Sequence, residues 1–273
     1  MVAMPEKEAF AILDDQCVPV KFVNHQALAK YDMFYGVMRV IDGKVAFMKD
    51  HLARMQESLS LAGVKNKIPV LRLQRNIRLC ISVNHLSNGN IRLSAFSDGK
   101  NRKWLVEIVP HNYPSDKDYQ KGVDVAVVRF EREFPNIKKW NQSMKNVVNR
   151  YKAIKDVYEV LFYNHQGYLT EGSKSNLFFV GDNKVVTAPQ SMVLKGITRK
   201  YVLEGLKSLS LEVIEQPVHV TNVLKYDAVF ITGTSPKVLP VHEIKACCHA
   251  DPQHPVLRKI MTVYDDILHR NLN

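Results

Sequence analysis

The sequence of 273 residues is short of cysteine, of tryptophan and of long apolar runs, and the first and last of these shortages each remove a class of protein. Its four cysteines, Cys17, Cys80, Cys247 and Cys248, form no CxxC pair, and the adjacent couple is too close in sequence to bridge readily. They read as reduced thiols. No stretch of about eighteen apolar residues exists to span a bilayer as a helix. The N-terminus, MVAMPEKEAF, lacks an apolar core behind a basic start, so it does not read as a secretory signal. A cytoplasmic protein without a membrane partner is the expectation. Internal repeats and low-complexity tracts are missing too, which sets solenoids aside. Acidic residues are outnumbered, 27 Asp and Glu against 38 Lys and Arg, for a net charge of +11. Such a balance invites a nucleic-acid reading. The basic residues are spread along the chain, however, and no helix-turn-helix, zinc-finger or RNP pattern accompanies them, so no nucleic-acid partner is expected. Small anionic substrates suit the same balance.

What is present resembles ordinary globular usage, with 46% hydrophobic and 24% charged residues, in a chain long enough for two domains or one large one. Val37 to Met48 reads as a hairpin turning at Asp42-Gly43. Leu52, Met55, Leu59 and Ala62 keep helical spacing up to a stop at Gly63. Strands are expected at Asn90 to Ala95 and Lys103 to Val109. The polar, aperiodic stretch at 112–122, with Pro114, reads as a linker between an N-terminal α/β domain at 1–111 and a C-terminal domain at 123–273. That second domain should hold a strand at Val123 to Phe130, a helix at Asn141 to Lys155 and a hairpin around His165-Gln166-Gly167. A strand at Ser175 to Val180, a helix at Gly196 to Leu209, a strand and turn at Ala228 to Ser235, and a last helix at Val256 to Leu268 follow.

Three motifs stand out. Thr170 to Phe179, TEGSKSNLFF, packs a carboxylate, a glycine, two serines and an asparagine into the corner before an apolar strand. Glu171 would sit at a sheet edge, where burial obliges it to meet a cation or a protonated nitrogen. Alone, it reads as a solvated turn residue. Gly196-Ile197-Thr198-Arg199 opens a patterned helix, whose backbone N–H groups favour an anion. Thr232-Gly233-Thr234-Ser235 is a second hydroxyl-rich turn able to hold the other side of it. A threonine at a helix start is also a plain cap.

Taken in order, Glu171-Gly172-Ser173-x-Ser175-Asn176-Leu177-Phe178, Thr187-Ala188-Pro189 and Leu194-Lys195-Gly196-Ile197-Thr198-Arg199 resemble the class IV, fold type IV, pyridoxal-phosphate aminotransferases. That family includes branched-chain aminotransferases, D-amino-acid aminotransferases and aminodeoxychorismate lyases. The resemblance is specific over Arg132 to Pro240 and looser over Tyr35 to Arg54. It implies an α+β, two-domain fold with an N-terminal α/β sandwich and a C-terminal β-barrel-like domain with flanking helices. It also implies pyridoxal 5'-phosphate as cofactor, a homodimer, and an amino acid and a 2-oxo acid as substrates. Glu171 would pair with the pyridine nitrogen, and Ile197, Thr198 and Thr234 would hold the phosphate. His51-Leu52-x-Arg54 is similar to the family's phosphate-binding arginine motif, although the helical wheel puts Arg54 off the apolar stripe, as for an exposed helix arginine.

The family attaches its cofactor to a lysine a little over thirty positions before the glutamate. Lys138 lies 33 positions before Glu171 and Lys145 only 26. Lys138 also stands in a Lys-x-x-Asn context, so the resemblance makes it the catalytic lysine, with Lys145 as rival. Tyr35, Arg92 and Ser235 would face substrate. Arg92, in Asn90-Ile91-Arg92-Leu93, resembles a branched-chain arginine that meets substrate carboxylates, and it reads equally as a solvent-facing strand arginine. Two departures matter. Gly36 stands where relatives carry an acid between Tyr35 and Val37. The carboxylate-binding arginine typical of the D-amino-acid enzymes is missing from the stretch Ile91 to Gly99, where Ser97 and Asp98 occupy its expected place. The expected function is therefore branched-chain-type amino transfer. A lyase releasing pyruvate from aminodeoxychorismate, which the family shares through Arg39 to Lys44, and a non-catalytic basic binding module are the alternatives.

Overall fold

The computed structural model describes residues 9–28, 30–65, 67–97 and 102–272. The N-terminal residues 1–8, expected to carry no secretory signal, and Asp98 and Gly99 lie outside the described residues. The chain divides into two compact units. The first runs to Asn112 and takes in Ile137–Trp140 and the end of the chain from Asn271; the second holds Tyr113–Asn136 and Asn141–Arg270.

The first unit is a six-stranded sheet of order β2-β1-β6-β5-β3-β4, built from β1 (Phe10–Leu13), β2 (Gln16–Pro19), β3 (Asp32–Ile41), β4 (Lys44–Val45), β5 (Gly89–Ser97) and β6 (Arg102–Val109). The helices are α1 (His25–Leu28), α2 (Met48–Leu61) and α3 (Val70–Val83). Both turn residues of the expected hairpin, Asp42 and Gly43, have positive φ, 48° and 73°, which fits the right-handed twist of β3 and β4. Alternation gives β3 two faces. Phe34, Met38 and Val40 join Ile91, Leu93, Trp104 and Val106 in a core with Leu52, Met55 and Leu59 of α2 and Leu73 and Ile77 of α3. Tyr35, Val37 and Arg39 lie on the opposite face, with Ser94, Arg92 and Asn90 as their partners on β5.

The second unit contains α4 (Asp116–Lys121), β7 (Val123–Arg129), α5 (Gln142–Lys155), β8 (Glu159–Tyr163), β9 (Tyr168–Gly172), β10 (Asn176–Gly181), β11 (Lys184–Thr187), α6 (Ile197–Ser208), β12 (Glu212–Glu215), β13 (Val218–His219), β14 (Ala228–Gly233), β15 (Lys237–Ile244), β16 (Cys248–His249) and α7 (Pro255–Arg270). Where a linker was expected, the segment forms α4, because Ser115 and Asp118 build a reciprocal capping box at its start. The ladder β10-β14-β15-β7-β8-β9 closes through an added β9–β10 pairing, making a six-stranded ring. Its interior is apolar: Leu177, Ile231, Leu239, Val125, Leu161 and Leu169, one from each strand, are all buried in one cluster. Helix α6 packs on α7 at Gly205, where an added Cβ would lie 2.9 Å from Val263 Cγ1.

Candidate active site

In the second unit, Glu171 follows Leu169 by two residues on β9, so it shares the face of a core leucine and is buried. The cation it needs is Arg132, whose Nε lies 3.0 Å from Oε1. The Leu194 N–H donates to Oε2 at 3.0 Å, and Asn176 Nδ2 does so at 3.4 Å. Asn176 stands directly across from Glu171 in the ladder and donates again to the Leu194 carbonyl at 3.0 Å. The guanidinium pairs with one carboxylate oxygen and the two donors bond the other.

The rest of the corner serves a second acid that reading the sequence did not find. Glu159, at the start of β8, is buried, and its Oε1 accepts from Ser173 Oγ at 2.6 Å and from the Val160 N–H at 2.8 Å. Its Oε2 accepts from the Lys174 N–H at 3.2 Å and from Ser175 Oγ at 3.3 Å. The two serines thus cage Glu159 while Asn176 ties down Glu171. Arg132 joins the two, since its Nη2 donates to the Ser173 carbonyl at 3.3 Å.

Two glycines let this corner close. A Cβ on Gly172 would lie 2.1 Å from Ser175 Oγ, and one on Gly196 would lie 2.0 Å from Asn176 Oδ1. Gly196 is also the N-cap of α6, which has no side-chain cap and no acid in its first turn. Its orphan N–H groups and the positive end of its dipole therefore face the corner uncompensated. Ile197 and Thr198 occupy that first turn and are buried, and Tyr264 of α7 donates to the Thr198 hydroxyl at 3.4 Å. Across the ladder from Asn176 stands Thr232, fully buried, with an Oγ1 that has no hydrogen-bond partner among the described residues. Thr234 and Ser235 follow in the turn out of β14, half-buried. Two other motif positions brace the structure: Thr187 Oγ1 donates to the Leu177 carbonyl at 2.7 Å, and Arg199 binds Glu215 at 2.9 Å.

In the first unit, Ile137–Trp140 lies along β3. The Tyr35 N–H donates to the Lys138 carbonyl at 3.1 Å, and the Trp140 N–H to the Met33 carbonyl at 2.8 Å. Lys139 turns the other way, to Asp32 at 2.7 Å. Lys138 is half-buried with its Nζ 4.9 Å from the centre of the Tyr35 ring. Its own N–H donates to Ser58 Oγ on α2 at 3.2 Å. Lys145, the rival, is exposed on α5 in the second unit.

Arg54, which resembles the family's phosphate-binding arginine but lies off the apolar stripe of the wheel, is buried, and burial lowers its pKa to about 10, so it stays charged at neutral pH. The wheel misled because it counted apolar residues alone. His51, Arg54 and Ser58 form a second, polar stripe at spacings of three and four, also buried. Of these, His51 is held neutral, its pKa pushed well below 6.5 by burial and by the nearby charges of Arg54 and Lys138. Its Nδ1 has no hydrogen-bond partner among the described residues and faces the space over Gly36, 3.8 Å from where a Cβ would stand. Arg92 shares the Tyr35 face of the sheet. It is already engaged, with Nη2 2.7 Å and Nε 3.2 Å from Glu107 Oε1.

Residues 33–244 match the family described as amino-transferase class IV. The chain is 25% identical over 248 residues to a probable branched-chain-amino-acid aminotransferase of Rickettsia bellii, covering 85% of this chain and 86% of that one. It is 27% identical over 225 residues to a D-alanine aminotransferase of Bacillus licheniformis, covering 78% and 79%. The branched-chain amino acid aminotransferase of Escherichia coli has the same fold, with a TM-score of 0.84 at 21% identity over 96% of this chain and 95% of that one. So does the T.th. enzyme of that name solved with pyridoxamine 5'-phosphate, with a TM-score of 0.85 at 22% identity over 98% of both chains.

Proposed function

Because this chain belongs to the class IV aminotransferase family, we propose that it moves an amino group between a branched-chain-type amino acid and a 2-oxo acid such as 2-oxoglutarate. It is a pyridoxal-phosphate-dependent enzyme with the type IV fold. The observation that carries the reading is the buried Glu171, whose Oε1 lies 3.0 Å from Arg132 Nε, beside an uncapped, acid-free helix end.

Those residues fit the cofactor. An ionised Glu171 would hold a pyridine nitrogen in its protonated form. The α6 N-terminus at Ile197 and Thr198, with Thr234 and the orphaned Thr232 hydroxyl beside Asn176, suits a phosphate. The resemblance to the family implies that Lys138, half-buried in the first unit, carries the covalent link and that Arg54, buried in the same unit, meets the phosphate. When bound, pyridoxal phosphate supplies an electron sink for a carbanion at the amino acid's Cα.

The residues of the chain do the rest. Once the substrate amine has taken its place, the Lys138 amine acts as general base at Cα, reached on a stem whose backbone is pinned to β3 and to Ser58. Arg132 and the Leu194 N–H each fix one oxygen of the Glu171 carboxylate. Tyr35, Arg92 and Ser235 would face substrate. The branched-chain preference is supported by the names of relatives such as the Rickettsia bellii protein. A homodimer and a cytoplasmic location complete the proposal; no helix among the described residues is long and apolar enough to cross a membrane.

The test is a panel of leucine, isoleucine, valine, glutamate and D-alanine against 2-oxoglutarate, beside an assay for pyruvate release from aminodeoxychorismate. Transfer from the branched-chain donors is expected. Pyruvate release with no transfer from any donor would replace the reading with the lyase, and a purified protein without the cofactor's absorbance would point to a binding module.

A further inference from the structure

We propose that His242, Glu243 and His249 form a site for a divalent transition-metal ion of the zinc class on the second unit. One ligand atom from each residue lies within 4.8 Å of those from the other two.

The backbone explains how three such side chains meet. Consecutive strand residues normally point to opposite faces, so His242 and Glu243 should diverge. The pairing of β15 with β7 slips at this point: Val241 faces Val123, Glu243 faces Asp124, and His242 is the extra residue of a bulge. A bulge re-aims a side chain. Gly122 makes room for it, since a Cβ there would lie 2.8 Å from the His242 nitrogen, and its φ of 76° suits glycine in any case. The third ligand comes from β16, where His249 stands directly across from Glu243.

The surroundings suit a metal. His242 Nδ1 lies 3.0 Å from Asp124 Oδ1, which fixes the ring and leaves Nε2 as its coordinating nitrogen, the usual outer support of a metal-bound histidine. Both histidines are exposed, so an ion has a path in. Two imidazoles and one carboxylate favour borderline ions such as zinc over magnesium or calcium, which prefer oxygen. Lys245 is the competitor. Its Nζ lies 2.6 Å from Glu243 Oε2 and 2.6 Å from Asp124 Oδ2, so it supplies the positive charge that a metal would bring. None of these groups has a part in the amino-transfer reading.

The experiment uses the full-length, cofactor-loaded protein, stripped with chelator and titrated with zinc chloride by calorimetry and with cobalt chloride by visible absorbance. One saturable site per chain is expected. His242→Ala and His249→Ala should each weaken it at least tenfold, Asp124→Asn by about tenfold, and Lys245→Met should tighten it. His165→Ala, outside the cluster, is the control. A thermal melt of each variant separates loss of ligand from loss of fold. The proposal is overturned by no saturable uptake in the wild type, by equal uptake in the folded double variant His242→Ala/His249→Ala, or by magnesium binding as tightly as zinc.

Discussion

Lys138 and Glu171 are held in opposite ways, each within its own unit. The lysine's segment is held by backbone hydrogen bonds with Tyr35, Met33 and Ser58, and its amine lies 4.9 Å from the centre of the Tyr35 ring. The glutamate's carboxylate is gripped directly by Arg132, Asn176 and the Leu194 N–H. The difference follows from the work. An amine that must be released and then carry a proton needs a fixed base and a mobile tip, whereas a counter-ion that must neither move nor titrate needs its oxygens tied.

The strongest break of that comparison is at the tip. Lys138→Ala should abolish covalent attachment of the cofactor and all turnover, while Lys145→Ala, on an exposed helix face, keeps both. Borohydride reduction and peptide mapping decide it: label on Lys145 would reverse the assignment.

Next comes a contrast between neighbouring acids. Glu171→Gln should slow proton removal from Cα at least about a hundredfold while cofactor stays bound, because an amide cannot keep a pyridine nitrogen protonated. Glu159→Gln should act on folding instead. It loses the charge behind four bonds and turns one acceptor oxygen into an amide NH2 facing two of the donors, worth ~3 kcal/mol in a urea melt, with turnover near that of the wild type. Equal rate losses in the two variants would mean that the acids work as one network.

That pair also marks how far the sequence could be read. Glu171 was visible because it, Asn176 and Leu194, which bond it, all fall in the ordered motifs that carry the family resemblance. Glu159 was hidden because its serines are 14 and 16 residues away and the acid heads an otherwise apolar strand. Helix α3 escaped notice because Val70 and Leu71 are exposed and blur the stripe of Leu73, Ile77 and Cys80. The placing of Ile137–Trp140 with the first unit depends on long-range pairing with β3, which local pattern does not record. The hairpin at Asp42-Gly43 and the helix capped by Asn141 were legible because turn and cap chemistry is local.

A smaller effect sharpens the comparison through pH. His51 is buried neutral with its pKa well below 6.5, so the unfolded chain takes up the proton more readily than the folded one. Its contribution is complete above pH 6.5 and is lost as pH falls, at about 1.4 kcal/mol per pH unit below that value until the folded-state pKa is reached. Urea melts of the wild type and His51→Gln between neutral and mildly acidic pH check it. The variant should flatten the acid limb, and an unchanged slope would place the acid sensitivity elsewhere.

The smallest effect concerns Arg92, a proposed substrate contact that is tied to an acid. A substrate carboxylate would have to compete with Glu107, 2.7 Å from the guanidinium and itself buried, so the net gain is smaller than that of an unshared charge-assisted bond. About 1 kcal/mol, roughly fivefold, is the expected rise in KM for glutamate and 2-oxoglutarate in Arg92→Met, with leucine and valine little changed. Glu107→Gln then supplies the opposite sign. It frees the guanidinium and should lower the KM for the dicarboxylates while leaving that for leucine alone. If Glu107→Gln raises every KM alike, the Arg92–Glu107 pair is a brace of the sheet, and the second carboxylate of glutamate is met by another group.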